Sequence, residues 1–118
     1  MHKTTGLTHL IKSTGYSLKG LKSAVKYETA FRHELSLGVI LIPLAFWLAG
    51  SKIELILMIG SYLLVLIVEL LNSAIESIVD RVGTEYHELS GRAKDQGSAA
   101  VFVALVNCAA VWAVILFG

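Results

Sequence analysis

One proline, one cysteine and a charged fraction of only 16% are what this 118-residue chain has little of. The single cysteine, Cys108, stands in an apolar run, so an internal disulfide is excluded, as is a metal centre built from several cysteines. The single proline, Pro43, leaves no proline-rich linker, and no repeat or low-complexity tract divides the sequence, so residues 1–118 are expected to form one domain. The first thirty residues hold no continuous apolar core, and no cleavable signal peptide is expected. A GxxxxGK[ST] phosphate loop is absent, as is anything like the catalytic or glycine-rich loops of protein kinases. The net charge is +1, and no nucleic-acid partner is expected.

What the chain does have is apolar surface. Hydrophobic residues make up 55% of it, more than a soluble domain of this length would hide, which indicates an integral membrane protein. Three apolar segments stand out: Leu35 to Ala49, Leu55 to Val68 and Ala99 to Phe117. A span needs about 20 residues. Extended accordingly, the spans are expected at about 30–49, 54–82 and 97–117, the first with Arg32 and His33 reaching towards head groups and a kink at Pro43. The second is expected to end at Gly83 in a left-handed cap that turns the chain into a polar stretch from Thr84 to Gln96. Lys3, Lys12, Lys19, Lys22, Lys26 and Arg32 precede the first span, Arg81, Arg92 and Lys94 lie between the second and third, and the short connection between the first two offers only Lys52. The positive-inside rule then puts the N-terminus and the 80–97 loop on the cytoplasmic side.

Residues 6–27 have an amphipathic pattern, with Leu7, Leu10, Ile11, Leu18, Leu21 and Val25 on one face and Lys12, Lys19, Lys22 and Lys26 flanking it. Such a helix lies on a membrane surface as an anchor, or works as a gate or lipid-contact surface; Gly15 and Gly20 weaken it as a rod. In the third span Ala100, Ala104 and Cys108 form a small-residue stripe suited to close helix packing, and Asn107 is expected to hydrogen-bond to a neighbouring helix. The expected fold is therefore an all-α membrane protein: a surface helix plus three transmembrane helices in an oligomeric bundle.

The most informative pattern is Glu69, Asn72, Glu76 and Asp80, four polar side chains on one helical stripe where the second apolar segment leaves the membrane. Ionisable groups at hydrocarbon depth are costly and mark functional sites. Helix rise places Glu28 and Glu76 at similar interfacial height, where they can meet. Three helices are not expected to wall off such a site, so the stripe should face lipid or a partner, which points to a homo-oligomer with sites between helices. Interfacial acids with Lys94 and Asp95 suit a divalent cation and a polyphosphate. A small proton-coupled exporter would use similar acids, and composition leaves the two nearly balanced. A carrier wants its site near mid-membrane, so acids gathered at one interface favour a reaction between a lipid and a water-soluble donor.

The run Glu69-Leu70-Leu71-Asn72-Ser73-Ala74-Ile75-Glu76, then Asp80-Arg81, then Glu85-Tyr86-His87-Glu88-Leu89-Ser90-Gly91-Arg92-Ala93-Lys94-Asp95, closely resembles the signature of the small prokaryotic diacylglycerol kinases. The likeness extends to Thr4-Thr5-Gly6, Gly15-Tyr16-Ser17, Lys19-Gly20-Leu21 and Ala30-Phe31-Arg32. It implies a trimeric bacterial inner-membrane enzyme that moves the γ-phosphate of MgATP to the hydroxyl of diacylglycerol, giving phosphatidic acid, at sites shared between subunits. The resemblance makes Glu69 the catalytic base and Glu28 and Glu76 the magnesium ligands. It assigns Tyr16, Glu28, Asn72, Glu76, Asp80, Glu85, Tyr86, His87, Lys94 and Asp95 to ATP. It assigns His9, Ser13, Ser17, Lys22, Ala30, Phe31, Arg32, Trp47, Glu69, Ser98 and Trp112 to the lipid substrate. A sister branch of the same fold resembles undecaprenol kinases.

His9, Lys26-Tyr27, His33 and the loop Ala49-Gly50-Ser51-Lys52 depart from the pattern of the enterobacterial members, in lipid-contacting or connecting regions away from the phosphoryl chemistry. Other readings of single residues stay open here. Glu28 and Asp80 can pair with Arg81 or the lysines, His87 is better read as a contact than as a base, and Trp47 and Trp112 suit an outer aromatic belt.

Overall fold

The computed structural model describes residues 6–83 and 87–118. They form four helices: α1 (Gly6–Tyr27), α2 (Thr29–Leu48), α3 (Lys52–Val82) and α4 (Glu88–Phe117), with no strand among the described residues. Three of them, α2, α3 and α4, are long and apolar enough to cross a membrane. The protein is an all-α membrane protein.

Local chemistry sets the helix limits. Gly6 opens α1 at φ 63°, a left-handed value that glycine adopts without strain. One extended residue, Glu28, separates α1 from α2. Arg32 stitches that corner: its Nη1 donates to the carbonyls of Val25 and Lys26 at 2.9 and 3.0 Å, and its Nη2 to Thr29 Oγ1 at 3.1 Å. A cation thus satisfies the last carbonyls of α1, where the helix dipole is negative. Arg32 closes a corner here instead of extending to head groups. Helix α2 runs unbroken through Pro43. At α3, Ser51 Oγ accepts the Glu54 N–H at 3.2 Å while Glu54 Oε1 accepts the Gly50 N–H at 2.8 Å, a reciprocal arrangement like a capping box.

Two expectations about the following segment need correction. Gly83 does end α3, but at φ 174°, which is extended and open to any residue, and not in a left-handed cap. The stretch expected to be a polar loop up to Gln96 is helical from Glu88 onwards. His87 Nδ1 accepts the Leu89 N–H at 3.1 Å, Glu88 sits in the favourable first turn, and Glu88 pairs with Arg92 at 3.5 Å, so α4 begins about two and a half turns ahead of its apolar part.

Helix α3 is the centre of the bundle, with α2 against one flank, α4 against the other and α1 packed on the start of α2. The pairs Met58–Trp112, Ser61–Cys108, Asn72–Gly97 and Asp80–Lys94 run in opposite directions along α3 and α4, which are therefore antiparallel. Phe31, Ala45, Met58, Tyr62, Val65 and Ala104 make the buried apolar core, and most other large apolar side chains point outward, as suits helices surrounded by lipid. Burial of Ala104 and the contact of Ser61 Oγ with Cys108 Sγ at 3.7 Å place the small-residue stripe of α4 against α3. Asn107, expected to bond across helices, is exposed and makes no hydrogen bond within the described chain; it lines an open groove with Leu64 and Val68.

Candidate active site at the C-terminal end of the central helix

Along the stripe of α3 the burial of the polar side chains falls steadily. Glu69 is 5% exposed, Asn72 and Glu76 are half-buried, and Asp80 is exposed. The expectation that three spans leave the whole stripe open therefore fails at its deepest member, because α2 and α4 flank α3 closely enough to cover Glu69 within one chain.

The cover on the α2 side is specific. Tyr62, two turns before Glu69 on the same face, donates its hydroxyl to the Glu34 carbonyl at 2.7 Å and approaches that of Leu35 at 3.3 Å. Its ring fills the space that a side chain at Gly38 would occupy. This contact fixes α2 so that the Glu34 carboxyl group lies beside that of Glu69, with Glu34 Oε2 buried and lacking a hydrogen-bond donor. Glu34 was missed in the sequence; the available signal was an acid inside the first span, two turns beyond Tyr27.

On the α4 side, Asn72 Nδ2 donates to Glu76 Oε1 at 3.2 Å. One turn beyond Glu76, Asp80 Oδ1 meets Lys94 Nζ at 2.7 Å. Lys94 lies ahead of the apolar part of α4, and its hydrogen bond and Coulomb attraction to Asp80 raise the ammonium pKa above its ordinary value. Asp95 is exposed beside it. Glu28, half-buried at the α1–α2 corner, lines a groove of about 530 Å³ whose other walls include Ser17, Gly20 and Ala24 of α1 and Leu70, Ser73 and Ser77 of α3. Glu28 therefore faces the stretch of α3 from Leu70 to Ser77, within which Glu76 lies, although no hydrogen bond joins the two acids. No group of three or more His, Cys, Asp or Glu side chains suited to a metal exists among the described residues.

The remaining expected residues divide by location. Tyr16 and Lys22 are exposed on α1, with Lys19 Nζ 5.9 Å from the Tyr16 ring centre. Ser17 Oγ donates to the Ser13 carbonyl at 3.0 Å, and Ser13 Oγ is 3.5 Å from His9 Nε2. Ala30 and Ser98 are exposed. Phe31 is only 2% exposed and belongs to the core, so within one chain it presents no face to a lipid; Arg32 is committed to the α1–α2 corner. Trp47, 79% exposed, stands near the C-terminal end of α2, and Trp112 donates its indole N–H to the Met58 carbonyl at 3.0 Å. Met58 lies eleven residues before Glu69, about 16 Å along the helix, so Trp112 ties α3 to α4 well away from Glu69. Glu85 and Tyr86, together with Thr4 and Thr5, lie outside the described residues, and His87 serves as the N-cap of α4.

Fold and geometry together define a small multi-span membrane protein whose acids gather at one end of its longest helix. A family model for prokaryotic diacylglycerol kinase matches residues 15–116. The diacylglycerol kinase of Haemophilus influenzae is 70% identical over 117 residues, covering 99% of both chains. That of Escherichia coli K12 is 51% identical over 116 residues, covering 98% of this chain and 95% of the relative. That of Pseudomonas aeruginosa PAO1 is 56% identical over 114 residues, covering 97% and 93%. The chain belongs to the prokaryotic diacylglycerol kinase family, and it is a kinase.

Proposed function

We propose that this protein transfers the γ-phosphate of MgATP to the free hydroxyl of diacylglycerol, giving phosphatidic acid and ADP, at the cytoplasmic face of the bacterial inner membrane. The observation that carries the reading is the graded stripe of α3, from buried Glu69 to exposed Asp80. A lipid hydroxyl reaches the bilayer edge and a nucleotide reaches the water, so one helix that presents acids across that boundary can serve both. Glu69 takes the proton as the lipid oxygen attacks the γ-phosphorus; the new O–P bond forms, the bond to the β-phosphate oxygen breaks, and ADP leaves. The groove beside Glu28 has the apolar, serine-edged lining that suits a glycerol backbone and the start of its chains.

The residues present fit a hard cation. Glu76 offers a carboxylate with one oxygen held by Asn72, Glu28 is an acid on the other flank of the helix, and oxygen-only donors match magnesium, which uses one or two carboxylates and completes its shell with substrate phosphates and water. That preference also accounts for a kinase lacking a cluster of three protein ligands among its described residues. The ion, when bound, neutralises charge on the transferring phosphoryl group. Lys94, held by Asp80, with Asp95 and His87 on the same helix start, faces the nucleotide, together with Tyr16 of α1. The open flank beside Glu28 is where a neighbouring subunit of a homotrimer would complete the site, the number three following from the family resemblance.

The experiment is a mixed-micelle assay of the purified protein with MgATP and diacylglycerol, with undecaprenol as competitor. Phosphatidic acid is the expected product. No phosphorylated lipid at all, or phosphorylation of undecaprenol alone, would overturn the reading.

A further inference from the structure

Gly97 is buried where α4 crosses α3, three residues beyond Lys94. A Cβ placed there would collide with Asn72 Oδ1 and stand 3.3 Å from Cγ and 3.9 Å from Cβ of the same side chain. The amide of Asn72 thus points its oxygen end-on at the bare backbone of Gly97. Its Oδ1 is buried with no hydrogen-bond donor, while its Nδ2 donates to Glu76 Oε1 at 3.2 Å. The reverse orientation of the amide would bring its oxygen against the carboxylate of Glu76, so the carboxylate itself fixes which end faces it. Oδ1 is left with only the bare backbone of Gly97 beside it. An amide oxygen left in this state is costly, and it is tolerated only where something holds the group in place.

We propose that Gly97 is a positioning residue for Glu76: its missing side chain lets α4 press on Asn72 and hold the amide N–H on the carboxylate. The inference rests on the reading of Glu76 as a cation ligand given above. A hydrogen bond from behind restricts which oxygen and which lone pairs a carboxylate offers in front, as partners of metal ligands commonly do. Any side chain at position 97 evicts the amide from its seat. Glu76 then loses its orienting donor, although α3, α4 and every charge of the site are retained.

The test uses the full-length protein in micelles and four variants: Gly97→Ala, Asn72→Ala, the double variant and Glu76→Gln. The readouts are thermal stability, the Mg²⁺ dependence of lipid phosphorylation, and Mn²⁺ affinity by electron paramagnetic resonance with a nonhydrolysable ATP analogue. Gly97→Ala is expected to weaken Mn²⁺ binding about tenfold and to raise the Mg²⁺ requirement by a similar factor, within the range set by partners of metal ligands. In the Asn72→Ala background the same change at position 97 is expected to cost less than about twofold, because no amide is left to displace. Equal losses in both backgrounds, or unchanged Mn²⁺ affinity in Gly97→Ala, would overturn the proposal. Should Gly97→Ala fail to fold, a stable double variant supports the contact with Asn72, and an equally unstable one refutes it. Glu76→Gln separates the two levels: if it leaves Mn²⁺ affinity intact, the ligand reading itself fails, whereas a loss there beside a silent Gly97→Ala removes only the present inference.

Discussion

The two halves of α3 use one face of one helix for different ends. From Met58 to Val65 that face is closed: Met58, Ser61, Tyr62 and Val65 are buried, and the bonds that tie them to their neighbours run to main-chain carbonyls or a thiol. From Glu69 to Asp80 the face opens progressively, and its acids meet an amide, a lysine and another acid. Both halves lie between the same two helices, so the difference is one of side chains and not of architecture. Packing against small residues and carbonyls leaves nothing for a ligand to take; half-partnered carboxylates leave a great deal.

Substitutions that sort with the halves test this contrast. The largest effect is expected from Glu69→Gln, which keeps shape and burial but removes the proposed proton acceptor: turnover should fall about 10³-fold, the order associated with loss of a general base, while circular dichroism and melting temperature stay near wild type. A variant that loses its fold instead would mean that Glu69 belongs to the closed half. Glu76→Gln comes next. Glutamine still accepts the Asn72 N–H, so stability should hold, whereas the Mg²⁺ concentration for half-maximal rate should rise about 10- to 100-fold. An unchanged Mg²⁺ requirement would put the cation elsewhere.

How far the sequence alone reveals these halves depends on the kind of interaction. The helices and their faces follow from hydropathy and spacing, and α1, α2 and α3 lie within two residues of the limits expected. The stripe from Glu69 to Asp80 is legible because acids are conspicuous in apolar runs. The start of α4 was not, because its first turns are polar on all sides and are held by His87, Glu88 and Lys94 through tertiary or capping contacts that periodicity does not report. Glu34, Tyr62 and Gly97 escaped for a related reason. Their importance lies in what α2 or α4 brings within reach, and Gly97 contributes through an atom it does not have. Arg32 and Trp112 were visible as interfacial types, yet each is committed to a backbone carbonyl of a neighbouring helix.

The closed half predicts the opposite signature. In Gly38→Ala the added methyl would sit 2.7 Å from Tyr62 Cζ and 2.9 Å from Cε2, against a ring that is pinned by its hydroxyl and cannot swing aside cheaply. Overpacking of this kind costs about 1–3 kcal/mol, which should appear as a lower melting temperature. Turnover per folded molecule should change far less than in Glu69→Gln. A large loss of turnover at unchanged stability would blur the boundary between the halves.

The smallest expected effect, and the sharpest probe of that boundary, is Tyr62→Phe. The ring stays, so Gly38 keeps its packing, and the carbonyls of Glu34 and Leu35 lie within α2, where helix hydrogen bonds already engage them. Losing the hydroxyl should therefore remove one interhelical bond, worth about 0.6 kcal/mol on average in membrane bundles, and leave no polar group stranded. Thermal denaturation in micelles should register a slight decrease, with turnover within about twofold of wild type. But the same hydroxyl holds the backbone of Glu34, whose carboxyl lies beside that of Glu69. If turnover drops more than about tenfold while stability barely moves, the closed half is not only a hinge of packing: it sets the acid pair one helix away, and the division drawn along α3 would have to include α2.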